Sequence, residues 1–196
     1  MLAYTSKARI DNDISTSEIC SQIITSLIGK LHFYYEEQTF VFVDLQDRFW
    51  LTFTDSRHTI YQNDEHYFYA PTLKAIYVAP QSRETGLQRQ ILKWLTTTAD
   101  EVNEHLAAFV DPFEVVSDDQ TDGAWDSFLK FVEYGPQKTG DWQADVKKQR
   151  QRFIDAGFRN VKYDDAKVTD AFQQMLYVSK RCSKDDKLLI ENLELS

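Results

Sequence analysis

The sequence predicts a mixed α/β domain: a central, mostly antiparallel sheet with one parallel strand pair, flanked by helices. Three observations carry this. A helical apolar stripe near the start gives way to a long run of β-branched and aromatic sequence. The stretch AIYVAPQSRETGLQRQILKWL (75–95) then reads as a strand that passes through a Gly-containing turn into a helix. After it, helix-like and strand-like segments alternate, an order that puts a crossover helix between two parallel neighbours. With 196 residues, 42% of them hydrophobic, the chain fills one core and is read as a single domain, 1–196.

The elements follow in order. Ser15-Thr16-Ser17-Glu18 has capping-box spacing, with Ser15 as N-cap and Glu18 three residues on. Ile19, Ile23, Ile24, Leu27 and Ile28 form the apolar stripe, and Gly29 is placed to end the helix. LHFYYEEQTFVFVDL (31–45) reads as one or two strands around 36–38, and 48–54 as another. A strand at 66–70 stops before Pro71, and 72–79 is the strand leading into the Gly turn. The longest helix is expected over 85–104, packing through Leu87, Ile91, Leu95 and Val102. LAAFV (106–110), bounded by Asp111-Pro112, reads as a buried strand parallel to 72–79.

A strand entering a helix through a Gly turn aims several backbone N–H groups at one point, which suits phosphate. The sequence of that turn resembles the acetyl-CoA signature of the GNAT (Gcn5-related N-acetyltransferase) superfamily, Arg/Gln-x-x-Gly-x-Gly/Ala. The matching residues are Arg83, Glu84, Thr85, Gly86, Leu87 and Gln88. RFIDAGFRNVKY (152–163) is similar to the family's helix ending in Gly-Phe before a strand, and QMLYVSK (174–180) to its closing strand.

The resemblance implies a cofactor cradle at Val78, Arg83, Thr85, Gly86, Gln88 and Arg89. It also shows departures from the family pattern. Gln88 stands where Gly or Ala lets the helix approach the pyrophosphate, and Glu84 sets a like charge beside it. The region 71–74, PTLK, lacks the Glu that often serves as base; Glu65, His66 and Asp111 are the substitutes near by in sequence. Phe153 occupies the position of the tyrosine that protonates the leaving thiolate, with Tyr67, Tyr69 and Tyr134 as replacements. Residues 112–142 form an insertion relative to the family, with acidic Glu114, Asp118, Asp119, Asp122 and Asp126. Its amphipathic segment carries Trp125, Phe128 and Leu129, which read either as an interface anchor or as cover for the domain's own core.

Net charge of −9 argues against nucleic acid and anionic membranes, and the basic run at 147–152 reads as a solvated helix face. Cys20 and Cys182 lack metal or disulfide spacing, the four histidines form no zinc pair, and no apolar run approaches ~20 residues. A cytoplasmic protein is expected. Two functional expectations stand. One is a GNAT-fold binding or structural component without cofactor, with a protein partner or as an oligomer; small phage virion proteins with GNAT-like folds are a looser resemblance of this kind. The other is an acetyl-CoA-dependent N-acyltransferase.

Overall fold

The computed structural model describes residues 19–36, 39–63, 66–109, 142–160 and 174–181. Helix α1 (Gln22–Leu27) precedes a meander of β1 (His32–Glu36), β2 (Thr39–Val43), β3 (Phe49–Asn63) and β4 (His66–Val78). A 3₁₀ turn (Pro80–Ser82) leads to α2 (Leu87–Val102), β5 (Leu106–Phe109), α3 (Trp142–Asp155), β6 (Arg159–Asn160) and β7 (Gln174–Tyr177). The seven strands form one sheet in the order β1-β2-β3-β4-β5-β7-β6. Every neighbouring pair is antiparallel except β4 with β5. The mixed α/β class and its single parallel pair, 72–73 beside 107–108, therefore stand.

Alternation sorts the strand residues. Phe40, Phe42, Leu51, Phe53, Leu73, Leu106, Ala108 and Met175 join one buried cluster with Ile23, Ile24 and Leu27 of α1 and Ile91, Leu92, Leu95 and Ala99 of α2. Leu87 and Val102 pack at its margin, as the helical spacing predicted. From α3 and the turn after it, Phe153 and Phe158 complete the cluster, their rings 5.2 Å apart edge to face.

Three expectations are corrected. The Ser15 capping box itself lies outside the described residues; the first helix was expected to run through Ile19, but residues 19–21 are not helical and α1 begins behind Ser21. Its side chain accepts from Ile24 N–H at 3.2 Å. The carboxylate of that cap comes from Glu104, which accepts from Ser21 Oγ and Ile23 N–H, both at 2.8 Å. Second, Pro71 does not divide two strands. β4 runs through it, because β3 carries extra residues between its pairings Thr54↔Thr72 and His58↔Ala70, so the missing proline N–H falls at an irregularity of the ladder. Third, β3 continues past Thr54 to Asn63, making with 66–70 a two-stranded extension beyond the reach of β2 and β5.

Candidate functional site

The strand–turn–helix junction owes its shape to two features of β4. The pairing Thr52↔Ala75 followed by Phe53↔Leu73 leaves Lys74 as an extra residue, a β-bulge. Among the described residues the ladder to β5 ends at the same place: Thr72↔Ala107 and Leu73↔Ala108 are its two pairings, while β4 runs on to Val78. Bulges bend and twist a strand, and this one falls where the described pairing with β5 stops.

Hydrogen-bond direction shows which groups face the β5 side. Ala79 N–H donates to Arg48 C=O at 2.8 Å, so Phe49 and Val78 are a pair whose own N–H and C=O groups point away from each other. By the same alternation Ile76, opposite Leu51, also points its backbone groups away from β3. Ile76 and Val78 thus present backbone toward the β5 side of β4, past the last described pairing between the two strands. Arg83 Nε donates to the Val78 carbonyl at 3.1 Å, which fixes the guanidinium against this edge.

Beyond the 3₁₀ turn, Glu84 and Gly86 are both left-handed, with φ of +62° and +79°. A left-handed non-glycine is strained by about 1–2 kcal/mol, so Glu84 carries a cost that Gly86 avoids. Gly86 is the N-cap of α2 and provides no side-chain cap, leaving the helix's leading N–H groups without intrahelical partners. A Cβ added at Gly86 would meet nothing within 4 Å among the described residues, so the space beside this residue is open. Thr85 turns its hydroxyl back to Ser82 C=O at 2.7 Å.

The charges around this end are mainly basic. The Arg152 guanidinium, from α3, donates to Gln88 Oε1 and, at 2.9 Å, to Gln149 Oε1. Arg89 meets Asp155 at an exposed 3.5 Å. The first turn of α2 contains no acid, and Glu84 is exposed just before it. The basic run at 147–152 lies on α3, exposed or half-exposed where its side chains are described.

The structure therefore brings together Val78, Arg83, Thr85, Gly86, Gln88 and Arg89 around one junction. Sequence reasoning missed Ile76, whose part depends on ladder register, and Arg152, which belonged to a run read as solvated. Phe153 is 2% exposed within the core. His66 starts β4 opposite Asn63. Glu65, Asp111, Tyr134, Trp125, Phe128 and Leu129 lie outside the described residues, as does the insertion up to Trp142, where α3 begins.

No family model matches the chain, and no curated protein matches it in sequence. Among solved structures it is similar to an acetoin utilization protein from Exiguobacterium sibiricum 255-15. That likeness covers 80% of this chain and 68% of that one, at 15% identity and a TM-score of 0.42. It is too distant to carry function. Among the described residues no helix is long and apolar enough to cross a membrane.

Proposed function

We propose that this chain is a divergent GNAT-type domain that has kept the backbone of an acyl-CoA cradle without the groups that catalyse transfer, and that it works as a binding or structural component. The observation that carries this is Phe153. The resemblance puts the proton donor for the leaving thiolate at this position, and here a ring without a hydroxyl is sealed into the core against Phe158. The cradle is altered too. Gln88 is tied to Arg152 where the family pattern has a residue with almost no side chain, and Glu84 places a carboxylate beside the approach to α2. Each is expected to weaken pyrophosphate binding by about 1 kcal/mol or more. The residues described around the junction do not fit a catalytic acetyl-CoA site. On this reading a protein partner supplies the function, the setting in which a virion component or an oligomer would use such a domain.

Titration calorimetry with acetyl-CoA and with CoA tests this: weak or undetectable heat is expected, and low-micromolar affinity would refute it. The N-acyltransferase reading is favoured by one observation, the Ile76–Val78 backbone edge beside an uncapped helix N-terminus. It requires release of free CoA thiol from acetyl-CoA in the presence of amine acceptors. Gly86→Trp, which fills the open space beside that residue, must then abolish that release.

A further inference from the structure

We propose that His105 is the proton-sensitive pin of a clasp that fastens the chain leaving β7 to the C-terminal end of α2. The strand ladder stops at Tyr177, and the next four residues have no strand partner among those described. Side chains hold them instead. Asp100 accepts from the Tyr177 hydroxyl at 3.0 Å and from Lys180 N–H at 2.9 Å, and pairs with Lys180 Nζ at 2.9 Å. Ser179 Oγ donates to Asn103 Oδ1 at 3.2 Å and accepts from Arg181 N–H at 3.4 Å. Between these, the backbone N–H of Ser179 donates to His105 Nδ1 at 3.1 Å.

That bond has a chemical condition the others lack. Ser179 is 1% exposed, so its N–H cannot turn to water when a protein acceptor is withdrawn. An imidazole nitrogen accepts only while it carries no proton, and a proton on Nδ1 would set N–H against N–H. Imidazole titrates near pH ~6.5 in the absence of perturbation, within the range cells reach. Among the described residues, the charged and titratable groups at the joined ends of these elements are Asp100, Glu101 and Glu104, from α2 and the turn after it, and Tyr177, Lys180 and Arg181, from β7 and the chain beyond. Asp100 does not share the condition. Burial by itself would raise its carboxyl, but the Lys180 N–H, the Lys180 ammonium and the Tyr177 hydroxyl outweigh this and hold it below the usual carboxylate value. Mild acid therefore withdraws the middle fastening while the Asp100 fastenings persist.

Backbone amide exchange followed by NMR, alongside titration of the His105 ring in the same samples, tests the clasp. Between about pH 7.5 and 5.5, after correction for intrinsic exchange, Ser179 protection is expected to fall ~tenfold or more in step with the ring. Lys180 and the core amides of Leu92 and Leu95 are expected to keep theirs. His105→Asn places an oxygen near the position of Nδ1 without a titratable group, and is expected to make Ser179 protection flat across that range. Constant Ser179 protection in the wild type while the ring takes up its proton would overturn the proposal. So would an undiminished pH response in His105→Asn. Should that variant not fold, the wild-type comparison decides alone.

Discussion

The two ends of α2 are built to opposite specifications. At the C-terminal end Asp100, Asn103 and Glu104 are all engaged with other elements. Asn103, left-handed at φ +56°, caps the helix with its N–H on Ala99 C=O. Asp100 holds the chain after β7, and Glu104 holds the start of α1. The N-terminal end has no side-chain cap, nothing within 4 Å of a Cβ built on Gly86, and beside it a stretch of β4 whose pairing with β5 does not extend past Leu73 among the described residues. Charge makes the contrast sharper. A helix is stabilised by acids in its first turn and bases in its last, by about 0.3–1 kcal/mol each at exposed sites. α2 has neither; Arg89 stands in its first turn, and Asp100 and Glu101 in its last. Neither end is charged for the sake of the helix. The acids at one end are used to join elements together, whereas the bases at the other surround an opening.

The largest expected effect breaks the occupied end. Asp100→Ala leaves the Tyr177 hydroxyl and the Lys180 N–H without their acceptor and is expected to cost about 2 kcal/mol. In a chain of this size that lowers Tm by about 4–8 °C, readable by thermal unfolding. Glu104→Ala removes the acceptor of Ser21 Oγ and Ile23 N–H and is expected to cost about 1–2 kcal/mol, with lost protection confined to α1 in amide exchange.

Acid acts on the same end. Asp100 has a folded-state pKa below its unfolded value, so its contribution is full above the unfolded pKa and is lost as pH falls through the folded one. Asp44 follows the same sign, held down chiefly by its hydrogen bond from Arg48. Chemical denaturation at a series of pH values is expected to show stability falling below about pH 4, with the Asp100→Ala protein showing a smaller fall.

The open end should respond weakly in stability and strongly in binding. Gly86→Ala forces a Cβ into φ +79° with no clash around it, so about 1 kcal/mol of backbone strain is expected and no more. Gly86→Asn, which tolerates the left-handed region better, is expected to cost less than Gly86→Ala in the same denaturation assay. Gln88→Ala is the smallest: stability is expected to move by less than about 0.5 kcal/mol, while any calorimetric affinity for CoA should rise. A large destabilisation by Gln88→Ala would mean that this end, too, is structural.

Much of this was legible in the sequence because it is local. The Leu87, Ile91 and Leu95 spacing marked α2, LAAFV marked β5, and the Gly turn between β4 and α2 completed the strand–helix–strand order of a parallel crossover. What escaped depends on partners distant in sequence. The carboxylate that caps α1 is Glu104, and the side chain that meets Gln88 is Arg152. β3 was cut short because Asp55, Ser56 and Arg57 break the apolar pattern, whereas the strand is defined by pairing with β4. Pro71 misled for a related reason, since a proline is tolerated in a strand where the neighbouring ladder slips. In the candidate site, the residues around the Gly turn were named from sequence, but the outward-facing backbone of Ile76 and Val78 required the register.

The two-residue ladder between β4 and β5 also has a kinetic meaning. β1 to β4 pair each with the next strand along the chain, so that meander needs only short loops to close. β5 finds its full-length partner in β7, far downstream, and that pairing must wait for a long loop to close. Thr72–Leu73 against Ala107–Ala108 is the only strand pairing, among the described residues, that joins the early-forming half to the late-forming one. A chain emerging from synthesis meets these halves in that order, and beyond this seam of two residue pairs it is the shared buried cluster that makes them one cooperative unit. The late strands are therefore held to the meander by side chains more than by backbone, through Leu106, Ala108 and Met175 packed in the cluster that the meander and α2 share.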